Sequence, residues 1–186
     1  MFNRFNRGRV ISLVLRKPGA LRSPAARLTV LALAATGAGF LVWSAVIHLE
    51  LWSDGYRDIS VIGPLFLVQG VAAVVLAVAV MAFRWLALLV AGAVAGLATA
   101  GGLLLSVYAG LFGYTESLAV PYATLSLAVE FTAAFVFLAA AALLALAAPG
   151  GAAGAGTPAS ARRNPALSAL ATRRGSSGRY QKEQGS

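Results

Sequence analysis

The chain has 186 residues, 59% of them hydrophobic and only 11% charged; an ordinary soluble domain carries about 25% charged residues, and with a mean hydropathy of +0.80 a soluble fold is excluded. The formal net charge of +9 sits at the two ends, with seven of the fifteen basic residues before Leu28 and six after Pro149, which marks membrane orientation and argues against a nucleic-acid partner. With no Cys and a single His, His48, disulfides, thiolate metal sites, a Cys nucleophile and an in-chain bis-His haem are all excluded.

Residues 1–27 form a basic N-terminal segment. Its apolar stretch, residues 10–15, is too short to span, and it is expected at a membrane surface, where basic residues meet anionic headgroups at about 1 kcal/mol each. Pro18 and Pro24 separate this segment from the next helix. The first spanning run is residues 28–47, matching the roughly 20 residues that cross a hydrocarbon core. A cleaved signal peptide competes, because a basic region precedes the run and Ala34 and Ala35 are small. The run continues well past that point, so a signal anchor is expected.

A polar outer loop, residues 48–60, follows, with Asp54-Gly55 as a turn signal and Pro64 suited to the first turn of the next helix. From Val61 to Gly113 the chain is apolar except for Gln69, Arg84 and small polar residues. As one helix this stretch would be about 80 Å long, so it must fold back. Helices are expected over residues 62–83 and 86–110, with a tight turn at residues 83–85 around the lone charge, Arg84. A fourth helix is expected over residues 121–147, opened by Pro121 and ended by Pro149 and Gly150. The tail, 149–186, is rich in Gly, Ala, Ser, Pro and Arg and is expected to be disordered.

The predicted fold is therefore all-α: a polytopic membrane protein with a four-helix up-down bundle over residues 28–148 and both termini in the cytoplasm of a cell enclosed by this plasma membrane. Thirteen of the fifteen Lys and Arg residues lie in the termini, whereas the outer loops hold Glu50, Asp54, Asp58 and Glu116 against Arg57 alone. Trp52, Tyr56, Tyr108, Phe112, Tyr114 and Tyr122 would gather at the outer interface and Trp85 at the inner one. Small residues mark packing faces: Gly92, Gly96 and Ala100, a neighbouring stripe through Thr99, Gly102, Ser106, Gly110 and Gly113, and Ala35, Gly37 and Gly39 on the first helix. Packing within one chain is the first use for them, and a homo-oligomer the second.

Glu130 is the most informative residue. It lies nine positions after Pro121, about 13 Å along the helix and close to mid-membrane. A carboxylate there costs a few kcal/mol, so it normally faces the bundle interior and has a partner. Ser126 and Tyr122, at i−4 and i−8, share its helix face. By depth, Gln69, Ser106 and His48 bring polar groups from the other three helices. Glu130, Gln69, Ser106, Tyr122, Ser126 and His48 thus predict an outward-open polar pocket. Glu130 has three candidate uses: a neutral acid holding helices together, a ligand or proton site, or a contact to a partner protein.

The outer loop is a second candidate, with Trp52, Asp54, Tyr56, Arg57 and Asp58 offered to a partner. A divalent cation held by His48, Glu50, Asp54 and Asp58 matches no compact motif, and residues two apart on a helix do not face the same way. No metal or cofactor is predicted. The sequence has no phosphate-binding Gly-rich loop with a Lys, no nucleophile-elbow Ser, no H-E-x-x-H and no paired-Asp motif.

The stretch from His48 to Gln69 carries His48, Leu51, Trp52, Gly55, Tyr56, Arg57, Ile62, Gly63, Leu65, Phe66 and Gln69. This pattern resembles small four-helix membrane proteins of high-GC Gram-positive bacteria. The Ala-rich composition with Arg over Lys fits such a source. The resemblance spans about 22 residues and brings no activity with it. The leading expectation is a non-catalytic accessory, assembly or scaffold subunit that touches lipid and a membrane partner. The alternative is a small transporter or proton-coupled carrier with Glu130 as the titrating group, with a membrane enzyme third.

Overall fold

The computed structural model describes residues 4–120 and 122–147. Helix α1, Arg4–Val14, leads through a short 3-10 turn to α2, Pro24–Ser53; α3, Ile62–Phe83, α4, Leu86–Ala109, and α5, Ala123–Leu146, follow. No strand forms among the described residues. Helices α2 to α5 are each long and apolar enough to cross a membrane. The expected disordered tail and Pro121 lie outside the described residues.

The first helix is ten residues longer than the expected 28–47, and this corrects the boundary at both ends. Pro24 begins α2 rather than blocking it: it stands at the first helical position, where its missing N–H costs nothing. Ser23 caps this end, its Oγ accepting from the Ala26 N–H at 3.3 Å. At the other end, His48, Glu50 and Trp52 are compatible with helix and continue it to Ser53. Gly55, at φ +126, then lets the chain turn out. The reversal between α3 and α4 falls where expected, with Arg84 in the left-handed region at φ 53.

Helix α2 packs along α3 and α5, and α5 packs along α4, while α3 and α4 share a much thinner contact. The close contacts are made through glycine. The ring of Phe137 on α5 is fully buried between Gly37 of α2 and Gly92 of α4, where an added Cβ would stand 2.8 and 2.6 Å from ring atoms. At Gly96, a Cβ would come within 2.7 Å of the Glu130 carbonyl oxygen, so α4 meets the α5 backbone directly. Gly70 of α3 gives room to the Leu49 side chain of α2, which would stand 2.7 Å from an added Cβ. Gly92, Gly96 and Ala100 are thus spent inside the chain, whereas Gly39 has nothing within 4 Å.

The core around Phe137 holds Leu41, Val80, Leu89 and Leu144, and fills the half of the bundle that ends at the Arg84 turn. The N-terminal segment closes that end. Leu21 enters the core. The Arg16 guanidinium donates to Ala145 O at 2.9 Å and to Ala147 O, satisfying carbonyls left over at the end of α5. The Arg16 carbonyl in turn accepts the Leu86 N–H, at 2.9 Å, at the start of α4. Lys17 lies 5.9 Å from the Trp85 ring centre, a cation–π contact. The apolar residues expected at a surface, Val10, Ile11, Leu13, Val14 and Leu15, are all exposed.

Candidate functional site

The opposite half of the bundle is not filled. Where the far ends of α2 and α4 meet the starts of α3 and α5, the helices enclose a cavity of about 240 Å³. All six residues predicted for the polar pocket line it: His48, Gln69, Ser106, Tyr122, Ser126 and Glu130. The thin α3–α4 contact forms one wall, through Leu65, Phe66 and Gln69 on one side and Ala98, Thr99, Gly102 and Leu103 on the other. Leu111, Tyr114, Glu116 and Val120, with Tyr56, line the top.

Glu130 forms the floor, 1% exposed. Ser126, one turn earlier on α5, donates to its Oε1 at 3.1 Å, and Ser44 of α2 donates to the same atom at 3.5 Å. Its Oε2 is buried and has no hydrogen-bond partner among the described residues. His48 stands beside it, with Nε2 3.8 Å from Oε1. The other ring nitrogen, Nδ1, lies 2.8 Å from the Ser44 carbonyl, which can only accept, so Nδ1 carries a proton. A neutral His48 therefore turns a lone pair toward Glu130. Two acceptors facing each other call for one proton between them, on the acid or on the ring.

Above the floor the wall is aromatic. His48 and Phe66 have ring centres 5.1 Å apart, Phe66 stacks on Tyr56 at 5.0 Å, and Tyr56 meets Tyr114 edge-on at 5.9 Å. The Tyr56 and Tyr114 hydroxyls both donate to Glu116 Oε2, at 2.8 and 3.1 Å. Desolvation holds both phenols above their ordinary range, and the neighbouring Glu116 carboxylate adds to this, so they stay neutral donors.

Gln69 and Ser106 line the cavity without touching Glu130. The Gln69 amide donates across the α3–α4 seam to Thr99 Oγ1 at 2.8 Å, and Thr99 donates back to Ala95 O. Ser106 donates to Tyr114 O at 3.3 Å and anchors the covering loop. Tyr122 sits at the rim in the left-handed region, at φ 71.

His48 was expected to close the first helix, and it instead lies buried well before the helix ends. The outer-loop group divides. Trp52 belongs to the last turn of α2, and Asp54 caps that helix. Tyr56 turns inward and joins the pocket. Arg57 and Asp58 form an exposed pair at 3.8 Å, of little energetic weight. Among the described residues no three His, Asp or Glu side chains gather as metal ligands.

Sequence reasoning missed Ser44, Thr99 and Glu116 as site residues. Ser44 had a signal, since it lies four residues before His48 and shares its helix face. Glu116 had none, because only the folded loop brings it over the cavity. No family model, no curated protein and no solved structure matches this chain.

Proposed function

We propose that this chain is an integral plasma-membrane protein that crosses the bilayer four times, both termini cytoplasmic, and binds a small, largely apolar molecule in its outer-end pocket. Insertion is supported by the surface of the helices. Val68, Val75, Val78 and Phe135 are each more than 60% exposed, an apolar surface that water does not tolerate over such lengths. Orientation is supported by the basic residues at the Arg84 end and in the termini.

One observation carries the binding reading: the cavity is floored by a buried acid whose Oε2 has no partner. Buried polar atoms are normally hydrogen-bonded, and a carboxyl in the membrane is costly. An orphan acceptor on a cavity wall is a position for a donor from a ligand. The walls around it are mainly apolar and aromatic, as small-molecule sites usually are. A scaffold docking through residues 52–58 loses support because Tyr56 faces the pocket. A carrier using the same site is the second reading, favoured by the thin α3–α4 seam as a route in and out.

Gly102 lines the cavity, and a Cβ added there meets nothing within 4 Å. Gly102→Trp should fill the pocket and spare the fold. Small molecules should accompany the wild-type protein in lipid nanodiscs, detectable by native mass spectrometry, and be lost from Gly102→Trp. The same complement in both proteins would refute the binding reading.

A further inference from the structure

The chemistry of the pocket goes further than its size. Two carboxylic acids line it, Glu130 at the floor and Glu116 at the top, and among the described residues the lining contains no Lys or Arg. The groups between the two acids are ring faces, those of Tyr56, Phe66 and Tyr114. An anionic ligand would meet the Glu116 carboxylate and a Glu130–His48 pair that, sharing one proton, has no net positive charge to offer. A hard metal ion takes six or more oxygen ligands, which this site does not assemble. An organic cation with N–H groups is attracted to the Glu116 carboxylate by charge, to Glu130 Oε2 as an unpartnered acceptor, and to the ring faces by their quadrupoles.

We infer that the ligand is a lipophilic organic cation, an alkylammonium with N–H donors, with its charge among Glu130, Glu116 and the Tyr56–Phe66–Tyr114 wall. The inference rests on the binding reading above and supplies its substrate class. The ammonium group takes the position beside Oε2 of Glu130, the one buried acceptor left without a partner. The apolar body lies along the aliphatic side of the cavity toward α4. A volume of about 240 Å³ suits a single aromatic ring with an aminoethyl arm, whose N–H groups can donate to Oε2, and is too small for a phospholipid.

The test compares two probes of one shape, 4-hydroxyphenethylammonium and its neutral carbon counterpart 4-propylphenol. Binding of each to the full chain in lipid nanodiscs is measured by calorimetry. The ammonium should bind at least tenfold more tightly than the phenol. Glu130→Gln should cut ammonium affinity about tenfold and leave the phenol unchanged. If Glu130→Gln does not reach the membrane fraction, Glu116→Gln carries the same prediction from the rim. Tyr56→Leu should weaken the ammonium more than the phenol. Equal affinities for the two probes would overturn the cation inference and leave the binding reading intact. If neither probe binds, the cation inference also falls, and the mass-spectrometric comparison with Gly102→Trp decides the binding reading separately.

Discussion

A Cβ on Gly92 would stand 2.6 Å from Cε2 of Phe137, so the α4 backbone is seated against the Cδ2–Cε2 side of an α5 ring. The same ring is met from the other side by Gly37. Three helices therefore converge on one side chain, and glycine is the residue that lets them do so.

Gly92→Leu should accordingly destabilise the bundle by about 1–3 kcal/mol through overpacking, and Phe137→Ala by about 3–5 kcal/mol through the cavity it leaves. Gly39→Ala, on a position with open space around it, is the control and should change little. Unfolding in increasing dodecyl sulfate, followed by circular dichroism, measures all three. A Gly92→Leu protein as stable as wild type would contradict the packing described.

At the pocket floor, Glu130→Gln keeps an oxygen that can accept from Ser126 and Ser44, so stability should stay within about 1 kcal/mol of wild type. Glu130→Ala removes the acceptor from both hydroxyls and from the face of His48, and should cost about 1–3 kcal/mol. The same unfolding assay separates the two variants. Equal losses would mean that Glu130 acts by volume rather than by its hydrogen bonds.

The Arg16 side chain should matter more than a surface arginine usually does. Arg16→Ala removes two charged hydrogen bonds to the end of α5, each of a kind worth about 1.5–3 kcal/mol. Hydrogen exchange should rise in the last turn of α5 and stay unchanged around Glu130. Uniform protection along α5 in this variant would show that the guanidinium is dispensable.

The two pocket tyrosines should ionise late. Burial, with Glu116 adding to it, raises both phenols, whereas an unfolded chain releases tyrosine protons near pH 10. A raised folded value means that the contribution of these groups to stability is complete below about pH 10 and declines as pH rises beyond it. Tyrosinate absorbance at 295 nm should therefore show a wave above that of free tyrosine. Glu116→Gln should bring this wave down, and an unchanged wave would place Glu116 away from the hydroxyls.

Depth along each helix was legible in the sequence, and direction around each helix was not. Gln69, Ser106, Ser126 and Glu130 could be placed at one level because a spanning helix has a fixed rise per residue. These helices are apolar on all sides, so no polar stripe records which face turns inward. That is why the direct partners of Glu130 and Gln69, Ser44 and Thr99, were not found. The end of α2 was misjudged for a related reason: hydropathy marks where a helix enters water, and the helix itself continues until Gly55 allows the chain to turn. Tyr56 was assigned outward because it lies in a polar loop, whereas stacking on Phe66 and bonding to Glu116 draw it in.

The carbonyls that Arg16 holds, those of Ala145 and Ala147, leave the ribosome about 130 residues after it. The segment around Arg16 must therefore remain uncommitted until α5 has been made. The bundle is then closed by a clasp between residues far apart in the chain, which ties completion of α5 to the segment before α2.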